Sequence, residues 1–242
     1  MVHSPRVLAA VLALSAGFAG TARPEAAPTE STPTFTGTIA LATKYISRGL
    51  DISEGPPVPQ AGFEYTNPIG VYVDGYAAKI RYFGMNAEID GNVGYRGQHG
   101  RVNYDFGLYY YYYPRANPAL HSNFAEFGAK LTWGDGPLTP VLEAYVSNNY
   151  FFGAGESFFV WSGADLALPE HLTLSARIGY LTVQDNRSFL YPDYATWMLS
   201  AAKQLASYSF SIQVTDTSMN RSECTDGPRC AVKLTLKIAK SF

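Results

Sequence analysis

The feature that most constrains this chain is a period of two. In "MNAEIDGNVGYRG", Met85 to Gly97, alternate residues divide into an apolar set, Met85, Ala87, Ile89, Gly91, Val93 and Tyr95, and a polar set, Asn86, Glu88, Asp90, Asn92, Gly94 and Arg96. Successive side chains of a β-strand point to opposite faces, so the stretch reads as a strand between two surroundings, one apolar and one wet. In a soluble sandwich the apolar face meets a core. In an outer-membrane barrel it meets lipid while the polar face lines the lumen.

The alternation recurs. Val102, Tyr104, Phe106, Leu108 and Tyr110 alternate with Asn103, Asp105, Gly107 and Tyr109; Leu172, Leu174, Ala176, Ile178 and Tyr180 alternate with His171, Thr173, Ser175, Arg177 and Gly179. Such segments, cut at turn signals, predict about twelve strands, the first running from Thr36 to Arg48 and the last from Cys230. No amphipathic helix of convincing length competes with them, so the fold class is all-β. Tight turns at Asn67-Pro68, Gln98-His99, Asp135-Gly136, Pro169-Glu170 and Ala206-Ser207 alternate with longer loops near Gly49 to Pro59, Tyr82 to Gly84, Pro114 to Ser122, Asn149 to Glu156, Gln184 to Asp193 and Asp216 to Arg229. Strict alternation of short and long connections is expected of an up-and-down antiparallel transmembrane β-barrel whose two ends face different compartments. Tyr95, Tyr110, Tyr112, Trp133 and Tyr180 fall toward strand ends, where aromatic girdles meet lipid headgroups.

Composition agrees. Charged residues make up 16% of the chain, against roughly a quarter in an ordinary soluble domain. With 18 Lys and Arg against 20 Asp and Glu there is no basic field, which excludes nucleic acid as an expected partner. Residues 1–22 read as a secretory signal peptide: Arg6, an apolar run from Val7 to about Ala16, then small residues suited to cleavage. That run is too short to anchor the chain in a membrane, which takes roughly 18 apolar residues or more. Residues 23–35, rich in Pro, Ser, Thr and Ala, read as a flexible leader, and 36–242 as the barrel.

Cys224 and Cys230, with Gly227 and Pro228 between them, read in an exported chain as a local disulfide. A loop so short gains only about 2 kcal/mol from the bridge, which shapes a loop and does not hold the fold. His99, His121 and His171 are scattered and none accompanies a nucleophile, so no catalytic residues, metal ligands or cofactor sites are expected. Alternation turns Glu88, Asp90, Asp105, Glu126, Glu143 and Asp165 inward together with Lys44, Arg96, Lys130, Arg177, Lys233 and Lys237. Mutual pairing within a barrel interior accounts for such a set more simply than an acid–base site does.

The densest local signature is "TKYISRGLDISEGPPVPQAGFEY". Through Tyr45, Arg48, Gly49, Gly55, Pro57, Gln60, Gly62 and Tyr65, and through an ending that carries Cys224, Cys230, Ser241 and Phe242, the chain resembles the TorF-like family of bacterial outer-membrane porins (Gcw_chp-type proteins). The resemblance implies export to the outer membrane, contact with its lipid, and a channel. A final strand closing on Phe242 resembles the terminal signature of outer-membrane barrels, which implies delivery by the barrel-assembly machinery.

The expected function is passive passage of small solutes, non-enzymatic and without cofactor, through a lumen constricted by Arg48, Glu88, Asp90, Arg96, Tyr109, Tyr111, Tyr113 and Lys130. Arg48 and Gly49 are expected at a strand exit. The small inward residues Ala40, Ala42, Gly94, Gly107, Gly128, Ser175 and Gly179 are expected to leave space. A barrel of twelve strands lies between those filled by side chains and those holding open channels. A closed barrel serving as anchor or surface-binding module is therefore the alternative, ahead of a barrel enzyme and a soluble secreted barrel.

Overall fold

The alternation closes into a cylinder. The computed structural model describes residues 32–53, 55–224 and 227–242. In it twelve strands form one closed antiparallel barrel: β1 (Thr34–Ala42), β4 (Val58–Thr66), β5 (Val71–Tyr82), β6 (Met85–His99), β7 (Val102–Tyr112), β8 (Phe124–Trp133), β9 (Leu138–Ser147), β10 (Ser157–Leu168), β11 (Leu172–Val183), β12 (Tyr194–Leu205), β13 (Tyr208–Thr217) and β14 (Lys233–Ser241). β1 pairs with β4 on one side and β14 on the other, Ala40 lying opposite both Gln60 and Ala239, so no strand edge is left open. A separate hairpin, β2 (Ile46–Ser47) with β3 (Leu50–Asp51), lies between β1 and β4 in the chain. The expected signal peptide, 1–22, lies outside the described residues, as does most of the expected leader; β1 takes up Thr34 and Phe35, the last two leader positions.

The two faces separate as a transmembrane barrel requires. Leu108 and Ile178, near the middles of their strands, are 57% and 63% exposed on the outer wall, and Leu199, Ile212 and Leu234 continue the same apolar surface. An apolar surface of this extent belongs against lipid. Two aromatic girdles bound it: Phe35, Tyr65, Tyr95, Trp133, Tyr208 and Phe242 at the end of the short turns, and Tyr110, Tyr112, Phe158, Tyr180 and Trp197 at the end of the longer loops. Glu88, Asp90 and Asn92 are buried inside.

Local structure departs from the sequence reading at two connections, β5–β6 and β6–β7. Met85 belongs to the interior, not to the outward set, because the β5–β6 register shifts between Lys79 and Tyr82 and the residues beyond the shift exchange faces. The expected long loop at Tyr82 to Gly84 is a tight turn: Tyr82 pairs with Met85 across Phe83 (φ 45°) and Gly84 (φ 80°), the mirror-image geometry that suits strand twist. The turn expected at Gln98-His99 lies two residues on, since His99 still pairs with Val102 and leaves Gly100 and Arg101 to reverse the chain.

Candidate functional site

The barrel interior is the candidate site, and its most prominent occupant is the β2–β3 hairpin. The sequence placed Arg48 and Gly49 at a strand exit. Instead β1 ends at Ala42, and Arg48 (φ 48°) and Gly49 (φ 91°) form the turn of a hairpin folded into the lumen. The physical reason lies in the flanking side chains: Tyr45, Ile46, Leu50 and Ile52 are all buried, so this segment carries an apolar surface that a solvent-facing loop would waste.

The hairpin tip spans the lumen. A Cβ on Gly49 would sit 2.4 Å from Thr196 Oγ1 and 2.7 Å from Thr217 Cγ2, so the bare backbone presses on the β12–β13 wall. The Tyr194 hydroxyl donates to the Arg48 carbonyl at 3.0 Å on the same side. The Arg48 guanidinium reaches the other way, donating to Glu126 Oε2 on β8 at 2.5 Å and lying 4.7–5.5 Å from the ring centres of Phe159, Tyr150 and Tyr145. Charge-assisted bonding and cation–π contact in a water-poor setting make this a strong latch. Behind the tip, Lys44 pairs with Asp51 at 3.0 Å, and the Tyr45 hydroxyl donates to Glu88 Oε1. Arg229 donates to the carbonyls of Asp51 (2.9 Å) and Arg81 (3.1 Å). Arg229 belongs to the loop closed by the Cys224–Cys230 disulfide, so that loop clasps the hairpin's base.

Above the tip an aromatic cluster covers the loop end. Tyr82, Phe124, Tyr150, Phe151, Phe152, Phe189 and Tyr191 are buried against one another, with Tyr111 stacked on Phe124 at 4.4 Å between ring centres. The Tyr150 hydroxyl, in the loop between β9 and β10, is pushed up to about 12 by burial, against the opposing pull of Arg48.

Toward the turn end the interior carries ion pairs across strands. Arg96 binds Glu64 through both terminal nitrogens, at 2.8 and 3.0 Å, and approaches Asp105 at 3.5 Å. Its guanidinium lies 4.0 Å from the centre of the Tyr72 ring, whose hydroxyl donates to Asp105 at 2.7 Å. Lys130 faces Glu143 at 3.6 Å, and Arg177 holds both oxygens of Asp165 at 2.7 Å. Mutual pairing is thus what most of the inward charges do.

The small inward residues divide in a way the sequence reading did not foresee. Gly94, Gly107, Gly128 and Gly179 do not leave space, because aromatic rings lie over them. A Cβ on Gly94 would meet the Tyr72 ring at 2.4 Å, one on Gly128 would meet Tyr109 at 2.6 Å and Tyr145 at 2.7 Å, and one on Gly179 would meet Trp161 at 2.2 Å. Across the barrel, from β11 through β14 to β1, the inner wall carries many short polar side chains, Thr173, Ser175, Ser200, Gln213, Thr215 and Thr235, with Ala40 beyond and Arg177, Met198, Lys233 and Lys237 among them.

Of the residues expected to constrict the lumen, Arg48, Glu88, Tyr111 and Tyr113 gather at the hairpin level, Arg96, Tyr109 and Lys130 lie toward the turn end, and Asp90 lies between. Sequence reasoning did not single out Glu126, Tyr194, Arg229 or Tyr72 as partners. Their signal was the inward phase of alternation for Glu126 alone; the other contacts join residues far apart in the chain. Among the described residues no three His, Cys, Asp or Glu side chains are grouped to hold a metal ion.

Known structures share this barrel. A KdgM porin superposes with a TM-score of 0.60 at 7% identity, over 86% of this chain and 99% of that one. A NanC porin gives 0.56 at 8% identity, over 86% and 99%. The COG4313 outer-membrane channel from Pseudomonas putida F1 gives 0.52 at 9% identity, over 91% and 100%. At these identities the likeness is one of fold. No curated protein matches the sequence. The family model described as "Bacterial protein of unknown function (Gcw_chp)" matches residues 26–242, and the chain, a twelve-stranded transmembrane barrel of porin type, belongs to that family.

Proposed function

We propose that the protein is a narrow outer-membrane channel that lets small polar solutes pass without catalysis, its aperture set by the β2–β3 hairpin. The observation that carries this reading is the asymmetric inner wall. A barrel built only as an anchor has no need of one half lined with Thr, Ser and Gln hydroxyls and amides, nor of a charged hairpin latched across the lumen by Arg48 and Glu126. Hydroxyls and amides can exchange hydrogen bonds with a passing hydrated solute at little cost. The outward apolar band and two girdles, together with the fold shared with porins, support placement in the outer membrane, reached through an N-terminal signal and the barrel-assembly machinery.

The test is electrical. Refolded protein in a planar bilayer should give small, discrete conductance steps. Arg48→Ala, which releases the tip from Glu126, should enlarge them or make them flicker. Tyr111→Ala, next to Phe124 in the cluster at the mouth, should enlarge them less. If well-inserted wild type and both variants stay silent, the anchor reading replaces the channel.

A further inference from the structure

One inward charge has no counterpart in the pairing scheme. Asp90, at the centre of the β6 inner face, is 2% exposed, and among the described residues neither of its carboxylate oxygens has a hydrogen-bond partner. Its acidic neighbours on the inner wall are Glu88, two residues back on the same face of β6, and Asp74, diagonally across on β5. The positive groups nearby are already engaged, Arg48 with Glu126 and Arg96 with Glu64 and Asp105. Two residues along the same face, the Asn92 amide donates its Nδ2 hydrogen to Asp74 at 2.5 Å, which fixes the amide's orientation and leaves its buried Oδ1 unpartnered. Asp90 and Asn92 thus present three bare oxygen acceptors from neighbouring inward positions of one strand, in a region where carboxylates outnumber cations.

A buried, unpaired carboxylate costs several kcal/mol unless something neutralises it. A proton would remove the charge but leave a buried hydroxyl that itself needs an acceptor. A small cation would satisfy both carboxylate oxygens together, with the neutral Asn92 oxygen as a further donor of electron density. One carboxylate plus a neutral amide oxygen balances the charge of a singly charged ion. We propose that Asp90, assisted by Asn92 Oδ1, is a binding step for a monovalent cation, an alkali ion or ammonium, which enters from the lumen. Binding requires that the lumen admit ions from one end and that the packing over Asp90 and Asn92 open to let one in, because their oxygens are closed off from solvent. The consequence for transport, a cation-preferring channel, rests on the channel reading above.

The experiment separates the two. Unfolding midpoints of detergent-refolded wild type and Asp90→Asn are compared at equal ionic strength in potassium, sodium, ammonium and tetrabutylammonium chloride. The midpoint of the wild type should rise in the small cations relative to the bulky one by more than that of Asp90→Asn, because a ligand that binds only the folded state stabilises it. Equal increments in both proteins overturn the proposal. Should Asp90→Asn fail to refold, Asp90→Glu keeps the charge but displaces it, and the rank order of the cations should change; an unchanged order overturns the proposal. The infrared difference spectrum between wild type and Asp90→Asn at pH 7 should show the paired stretches of a carboxylate, and the carbonyl stretch of a protonated acid would also overturn it. In an asymmetric potassium chloride bilayer the reversal potential of Asp90→Asn should move toward zero. A silent bilayer would count against the channel and leave the salt series to decide the cation site.

Discussion

The two halves of the barrel wall are built from the same alternating pattern and present different interiors. From β4 to β10 the inner face carries large groups: Tyr72, Tyr76, Tyr109, Tyr145, Phe159 and Trp161, with the Arg96 and Lys130 ion pairs between them, and glycines seat several of the rings. From β11 through β14 to β1 the inner face is mostly Thr, Ser, Ala and Gln. Binary patterning decides which residues face in, and it is indifferent to their size. Side-chain volume on inward positions then decides whether a barrel of this strand number is filled or hollow. In this chain the large side chains gather on one half and the short ones on the other, and the hairpin tip bridges them, its backbone at Gly49 on the short-side-chain wall and its Arg48 guanidinium on the crowded one.

The largest expected effect breaks that bridge. Arg48→Ala leaves Glu126, whose side chain is fully buried, without its partner, and should cost about 3–5 kcal/mol of stability in denaturant titration. The double variant Arg48→Ala with Glu126→Gln should regain most of that loss. If the double variant is as unstable as the single one, the latch is not what joins the two walls. Next come the outer faces, which should not distinguish the halves. Leu108→Lys on the crowded side and Ile178→Lys on the other should each cost about 2–4 kcal/mol when refolded into lipid, since both sit at mid-strand against the bilayer. A large difference between them would place the asymmetry in the membrane surface and not only in the lumen.

A smaller effect measures the packing contrast directly. Gly94→Ala forces a methyl group against the Tyr72 ring and should cost about 1–3 kcal/mol, the usual range for overpacking. Ser175→Val, larger in volume change but on the short-side-chain wall, should cost less than Gly94→Ala. Equal costs would mean the two walls are equally packed. The smallest effect lies outside the lumen, where Lys203 donates to Glu170 at 2.9 Å in an exposed turn and holds that carboxyl below its ordinary value. A depressed value stabilises the fold above the ordinary carboxylate range and loses that contribution as pH falls through it. Lys203→Met should therefore barely change the unfolding midpoint at pH 7, and not at all in strong acid or high salt. A clear drop at pH 7 would show that the turn end is held by more than its strands.

Sequence alone determined what depends on local periodicity. The period of two fixed the inward and outward sets, as at Ile89 against Asp90 and Leu174 against Ser175, because neighbouring side chains on a strand must point apart whatever surrounds them. The strands, the girdles and the disulfide pair were legible for the same reason: each follows from spacing along a short stretch. Tertiary structure alone decided what depends on which strands meet across the lumen. That Gly94 and Gly128 hold rings and not space, that Arg48 turns in to meet Glu126 78 positions away, and that Arg229 clasps the hairpin base all require knowing what lies opposite. The Tyr82–Met85 turn and the misplaced phase of Met85 belong with them, since a single shift in register moves a residue from lipid to lumen without any change in its own sequence neighbourhood. Cross-barrel distances are set by closure of the whole sheet, and no local window of the sequence contains them.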